Sequence, residues 1–198
     1  MRIKKGNIFI VLGVLLIFCA LIISAYNIWH DYSAGKQAES ALNYLNATIP
    51  EVNGAEGIPN YILNPEIPMP TSEIDGKEYI GIIEIPSLEI ILPVISQWNY
   101  DNLNAAPCRY EGSAYLDNMI IAGHSYAAHF RKIRKISVDD KIVFTDIEKN
   151  KFEYKVVSIE ILKPGQVEEM KNGDWDLTLF TCTYGAQTRF TVRAARIN

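Results

Sequence analysis

At 198 residues, 48% of them hydrophobic, the chain is long enough for one domain with a true core plus an appendage. Its net charge of −4 and the lack of a dense basic stripe argue against a nucleic-acid binder, so no nucleic-acid partner is expected. The hydrophobic excess is local rather than spread along the sequence.

Ile8 to Tyr26 carries no charge, and about 19 helical residues cover the roughly 30 Å of a bilayer core. Arg2, Lys4 and Lys5 precede the run and Asp31 follows it. That bias places residues 1–7 in the cytoplasm, a single span over 8–26, and the rest outside the cell. A cleaved signal peptide has a shorter apolar region, about 7–15 residues, so the run reads as an uncleaved anchor. Cys19, after the bulky Phe18, reads as a lipid-facing or packing residue. Ser33 to Asn46 then shows a modest helical pattern (Ala38, Ala41, Leu42, Leu45), either a short stalk or an arm that packs on the domain. Pro50, Pro59, Pro65, Pro68 and Pro70, with Gly54 and Gly57 among them, exclude a regular helix or central strand. Residues 27–71 are thus expected to be stalk and linker, and 72–198 the folded domain.

Strand signals dominate that domain. Tyr79–Ile85 and Leu88–Ile95 flank the turn Pro86-Ser87; Asn118–Gly123, Lys141–Thr145 and Phe152–Leu162 follow. Two helical segments interrupt them, near Tyr100–Ala106 and over Ala127–Ile136. In the second, Phe130, Ile133 and Ile136 fall three apart amid Arg131, Lys132, Arg134 and Lys135. The basic face reads as solvated; contact with acidic wall polymer or lipid headgroups is the functional alternative. Seven or eight short strands with few helices predict an all-β fold, a closed or nearly closed barrel. Cys108, in Ala106-Pro107-Cys108-Arg109, is expected in a loop, with no obligatory disulfide and no catalytic part.

The most informative stretch is Leu177 to Val192. Leu177, Leu179 and Thr181 alternate with Thr178, Phe180 and Cys182, and Phe190, Val192 and Ala194 alternate with Arg189, Thr191 and Arg193. A two-residue type II′ turn over Gly185-Ala186 pairs Tyr184 with Gln187, Thr183 with Thr188, and Cys182 with Arg189. Opposed residues share a face with Cβ atoms about 5 Å apart, so a thiol lies beside a guanidinium. Nearby positive charge favours the nucleophilic thiolate, and the guanidinium offers donors to a carbonyl under attack. A half-buried structural cysteine facing a solvated arginine has the same local pattern. Arg193 lies on the same face about 13 Å further along and is expected to be dispensable. A proton donor is also needed. His124, ending the apolar strand Met119–Gly123, is better placed than His129 in the basic segment or His30 near the membrane.

Thr178-Leu179-Phe180-Thr181-Cys182 followed by Arg189 resembles the Thr-Leu-X-Thr-Cys…Arg signature of sortases, and Ala122-Gly123-His124 with Phe130 resembles their Gly-His segment. Ser137 to Ile142 is similar to the family's turn into the next strand, with Asp139 where glycine is usual. The resemblance runs over about Tyr79 to Ile197 and implies an eight-stranded sortase β-barrel with one or two short helices behind an N-terminal transmembrane helix. It implies a cysteine transpeptidase of the Gram-positive cell surface. Such an enzyme cleaves sorting signals of the Leu-Pro-X-Thr-Gly type on secreted proteins and passes them, through a thioacyl-enzyme, to an amine of a cell-wall precursor or a pilin. Cys182 is then the nucleophile, His124 the acid and base, Arg189 the oxyanion partner, and Thr181 a contact to substrate or oxyanion. No cofactor and no metal are expected. The short Cys182–Arg189 spacing and the lack of a long helical insertion resemble class D-like and other small sortases more than class B. A non-catalytic wall-binding module and a sorting-signal endopeptidase using water stay open as alternatives.

Overall fold

The computed structural model describes residues 5–48, 58–183, 185 and 187–198, which form two compact units. The first ends at Ser33 and is the greater part of helix α1 (Lys5–Thr48). Phe9, Leu12, Leu15, Leu16, Ile22 and Ile23 are all exposed on it. Among the described residues this is one helix long and apolar enough to cross a membrane, with a mean hydropathy of 2.8 in its most apolar window.

The second unit runs from Ala34 to Asn198. It takes in the end of α1, because Ala38, Ala41 and Leu45 recur at helical spacing and are all buried. The arm, not the stalk, is therefore realised: Ala41 and Leu45 pack with Ile74, Tyr79, Ile82 and Ile95. Residues 49–57 of the expected linker lie outside the described residues. Residues 58–71 lie along the barrel through a helical turn, α2 (Asn60–Leu63): Tyr61 stacks on Tyr115 at 4.7 Å, and Met69 is buried.

Nine strands follow among the described residues. β1 (Ser72–Ile74) and β2 (Lys77–Ile85) form a hairpin over Asp75-Gly76, whose φ values of 50° and 73° suit a type I′ turn. β3 (Ile90–Ile95) comes after a 3-10 turn at Pro86–Leu88, so it starts later than expected. Helix α3 (Tyr100–Ala105), β4 (Cys108–Glu111), β5 (Met119–Gly123), β6 (Lys141–Asp146) and β7 (Lys151–Leu162) succeed one another. Helix α4 (Val167–Lys171), β8 (Leu177–Cys182) and β9 (Arg189–Arg196) complete the chain.

The order β2-β3-β4-β5-β8-β9-β7-β6 closes through pairing of β2 with β6, giving the expected eight-stranded barrel, with β1 appended to β2. Alternation sorts the side chains. Ile83, Ile121, Phe144, Tyr154, Leu179 and Val192 fill the interior, while Ala122 and Phe180 belong to an outer layer under the end of α1 and α3. Cys108 is a correction: it opens a strand rather than sitting in a loop, since its partner is Ala122, distant in sequence. The expected helix over Ala127–Ile136 is a 3-10 helix at Phe130–Lys135. A residue spacing of three eclipses side chains in that geometry, which buries Phe130, Ile133 and Ile136 together.

Candidate active site

β8 lies between β5 and β9, and both pairings bring chemistry to its last residue. β5 runs parallel to β8 with Gly123 opposite Thr181, so His124 arrives beside Cys182. β9 runs antiparallel with Arg189 opposite Cys182, the register expected from sequence. Neighbouring strands are about 4.8 Å apart, which sets the three residues in a row with the thiol central. All three are half-buried and line one cavity of ≈ 240 Å³, together with Trp98, Tyr110, Phe180, Val167 and Met170. The proposed turn pair Tyr184 and Gln187 and the turn residue Ala186 involve positions outside the described residues. Beside them Thr183 N–H donates to Thr188 O at 3.0 Å, the two hydroxyls are 2.7 Å apart, and Gly185 has φ 74°.

The position of His124 follows from its neighbours. A Cβ on Gly123 would fall 2.4 Å from Phe130 Cδ2, so only glycine lets this buried ring lie across the strand end. Phe130 N–H donates to His124 O at 3.0 Å. Tyr126 stacks on the imidazole, with centroids 4.5 Å apart and 29° between planes.

Arg134 was missed by sequence reasoning, which placed it on a solvated or polymer-binding basic face. Its Nη2 donates to Ser125 Oγ at 2.8 Å and to the carbonyl of Cys182, while Arg131 Nε donates to Ser125 O at 3.1 Å. One guanidinium thus ties the residue after His124 to the main chain of Cys182. Nothing in the spacing of Arg131, Lys132, Arg134 and Lys135 marks which one turns inward; only the approach of β8 selects it. Arg131, Lys132 and Lys135 are exposed.

Of the four candidate residues the structure gathers Cys182, His124 and Arg189. Thr181 is fully buried on the interior face of the sheet, in register with Phe190, and does not line the cavity. Cys108 is also fully buried, and its thiol donates to Ala106 O at 3.3 Å; burial pushes its pKa up to about 12. Its thiol is free, like those of Cys19 and Cys182. Arg193 departs most from expectation: it is fully buried beneath α4.

A family model described as Sortase domain matches residues 83–197. Sortase A of Bacillus anthracis is 32% identical over 117 residues, which are 56% of this chain and 55% of that protein, so the match spans about half the length of that relative. Among solved structures, the Clostridium perfringens sortase D5 transpeptidase shares the fold at a TM-score of 0.62 and 23% identity, over 82% of this chain and 99% of that one. Sortase C of Clostridium perfringens, solved with the C-terminal cell wall sorting motif, aligns at a TM-score of 0.54 and 25% identity over 90% and 99% of the two chains. The family match runs from within β2 to the end of β9, through the strands that carry His124, Cys182 and Arg189, and the chain belongs to the sortase family.

Proposed function

We propose that the chain is a membrane-anchored cysteine transpeptidase acting on secreted proteins that carry a C-terminal sorting signal of the Leu-Pro-X-Thr-Gly type. The observation that carries this reading is the row of His124, Cys182 and Arg189 at the ends of three adjacent strands, opening on one largely apolar cavity. The Cys182 thiolate attacks the threonine carbonyl carbon, and a C–S bond forms while Arg189 donates N–H bonds to the oxyanion. The adduct collapses as the C–N bond to glycine breaks and protonated His124 gives its proton to the departing amine. A thioester remains on Cys182. An incoming amine, from a cell-wall precursor or a pilin, attacks it; its proton passes to His124 and the thiolate leaves. His124 has then lost and regained one proton, and the cycle closes.

Trp98, Tyr110 and Phe180 offer apolar surface to the leucine and proline of the signal. Burying one such side chain contributes about 1.5–3 kcal/mol. The sorting motif held by the Clostridium perfringens sortase C supports this substrate class. The apolar part of α1 is the anchor, N-terminus in the cytoplasm and barrel outside, in keeping with the charge bias of its flanks.

The test is mass spectrometry of the protein incubated with a library of sorting-signal peptides and candidate amines. A thioacyl adduct on Cys182 and an amide product with the amine are expected, both lost in Cys182→Ala and in His124→Ala. No adduct with any peptide, or product formed by Cys182→Ala, refutes the proposal.

A further inference from the structure

Arg193 is a guanidinium with a side chain 2% exposed, in a region that alternation alone assigns to the outer face of the barrel. It is buried because the β7–β8 connection folds over it. Nη1 donates to Met170 O and to Thr178 Oγ1, both at 2.9 Å, and Nη2 donates to Glu169 O. Glu160 on β7 lies 3.7 Å away, and the Trp175 ring is within 6.0 Å. One side chain on β9 therefore joins β7, β8 and two successive carbonyls of α4.

Those carbonyls belong to the helix that walls the cavity at Cys182. Val167 and Met170 of α4, with Gln166 before it, line that cavity, and Met170 itself is buried. A five-residue helix has too few internal hydrogen bonds to hold its own shape. α4 is otherwise held by the burial of Met170, by a long 4.0 Å bond from Thr191 Oγ1 to Met170 Sδ, and by the Lys171–Glu111 ion pair, whose side chains are 34% and 48% exposed and so are strongly screened by water. The Arg193 bonds are sheltered, and charge-assisted bonds of this kind are the stronger ones. A buried guanidinium is also costly once its acceptors leave, so the loop and the charge hold each other in place.

We propose that Arg193 is a positioning residue for substrate selection: it clamps α4 so that Val167 and Met170 form a fixed apolar wall for the substrate. This rests on the transpeptidase reading above. Arg193 touches neither substrate nor the reacting atoms. Lysine at this position keeps the charge but not the planar fork that reaches two carbonyls and a hydroxyl together.

The experiment compares wild type with Arg193→Lys and with Thr178→Val, which removes one acceptor and leaves the guanidinium. Hydrogen exchange of residues 166–171 is read without substrate. Steady-state kinetics are read with a sorting peptide and with the same peptide carrying alanine for its leucine. Alkylation of Cys182 by iodoacetamide reports the thiol. Arg193→Lys should speed exchange in α4 about tenfold or more, raise KM about tenfold with kcat within about threefold, and lower the leucine-over-alanine preference. Alkylation of Cys182 should be unchanged, and Thr178→Val should show the same pattern more weakly.

Unchanged exchange in α4 and unchanged KM overturn the clamp, as does a parallel loss of kcat and alkylation without a change in KM. If Arg193→Lys does not fold, Thr178→Val decides on the same criteria. A wild type inert toward every peptide would sink the transpeptidase reading, while the exchange data would still decide whether Arg193 holds α4.

Discussion

Gly123→Ala tests the positioning of His124 directly. The added Cβ would meet Phe130 at 2.4 Å from Cδ2, 2.5 Å from Cγ and 3.0 Å from Cβ. Carbon atoms rest at about 3.5–4.0 Å, so ring or strand must retreat by about 1 Å. Phe130 is fully buried in one core cluster with Ile83, Ile121 and Ile133, so a shift of its ring disturbs packed neighbours. Overpacking of this kind costs about 1–3 kcal/mol, which a domain of this size tolerates. Activity is more sensitive, because Phe130 N–H is bonded to His124 O and carries the shift to the imidazole. A 1 Å misplacement can cost roughly 100-fold in rate. Gly123→Ala should therefore remain folded by thermal melting, lose about 100-fold in transpeptidation, and still react with iodoacetamide at Cys182. Trimming the ring in Gly123→Ala/Phe130→Leu should recover much of the rate. Wild-type turnover in Gly123→Ala, or no recovery in the double variant, would show that this contact does not place His124.

Arg189→Lys keeps charge opposite Cys182 but loses the fork, and should lower turnover about 100- to 1,000-fold in a peptide-transfer assay with alkylation of Cys182 retained. Arg134→Gln weakens the tie between Ser125 and the Cys182 carbonyl. It should lower kcat about tenfold or more, with KM little changed and a melting temperature within a few degrees of wild type. Cys108 should resist alkylation in the native protein and label only on unfolding, while Cys182 labels at once; equal native rates would contradict the buried position of Cys108. Because burial raises the Cys108 pKa from its usual value of about 8.5 to about 12, the fold favours the neutral thiol. That contribution is intact below the lower value and is lost as pH rises toward the upper, so Cys108→Ala should flatten the alkaline fall in stability seen in urea melts.

What the sequence determined by itself was local. The pairing of Cys182 with Arg189 could be read because the two residues are joined by a short connection, and alternation then fixes which side chains share a face. The membrane-length apolar run was legible from composition, and the Phe130–Ile133–Ile136 face from spacing. The β1–β2 hairpin was not anticipated, although Asp75-Gly76 is a residue pair that suits a two-residue hairpin turn. Tertiary structure decided whatever depended on residues distant in sequence. His124 meets Cys182 only through the parallel pairing of β5 with β8, which no local pattern encodes. Cys108 became a strand residue because Ala122 supplied its partner. Arg134 and Arg193 look in sequence like two more solvated cations, since a lone arginine has no period and no preferred neighbour. Each was turned inward by a carbonyl that the fold carried to it, from Cys182 in one case and from α4 in the other. A buried guanidinium must find acceptors, and where those acceptors lie is fixed only when the chain has closed on itself.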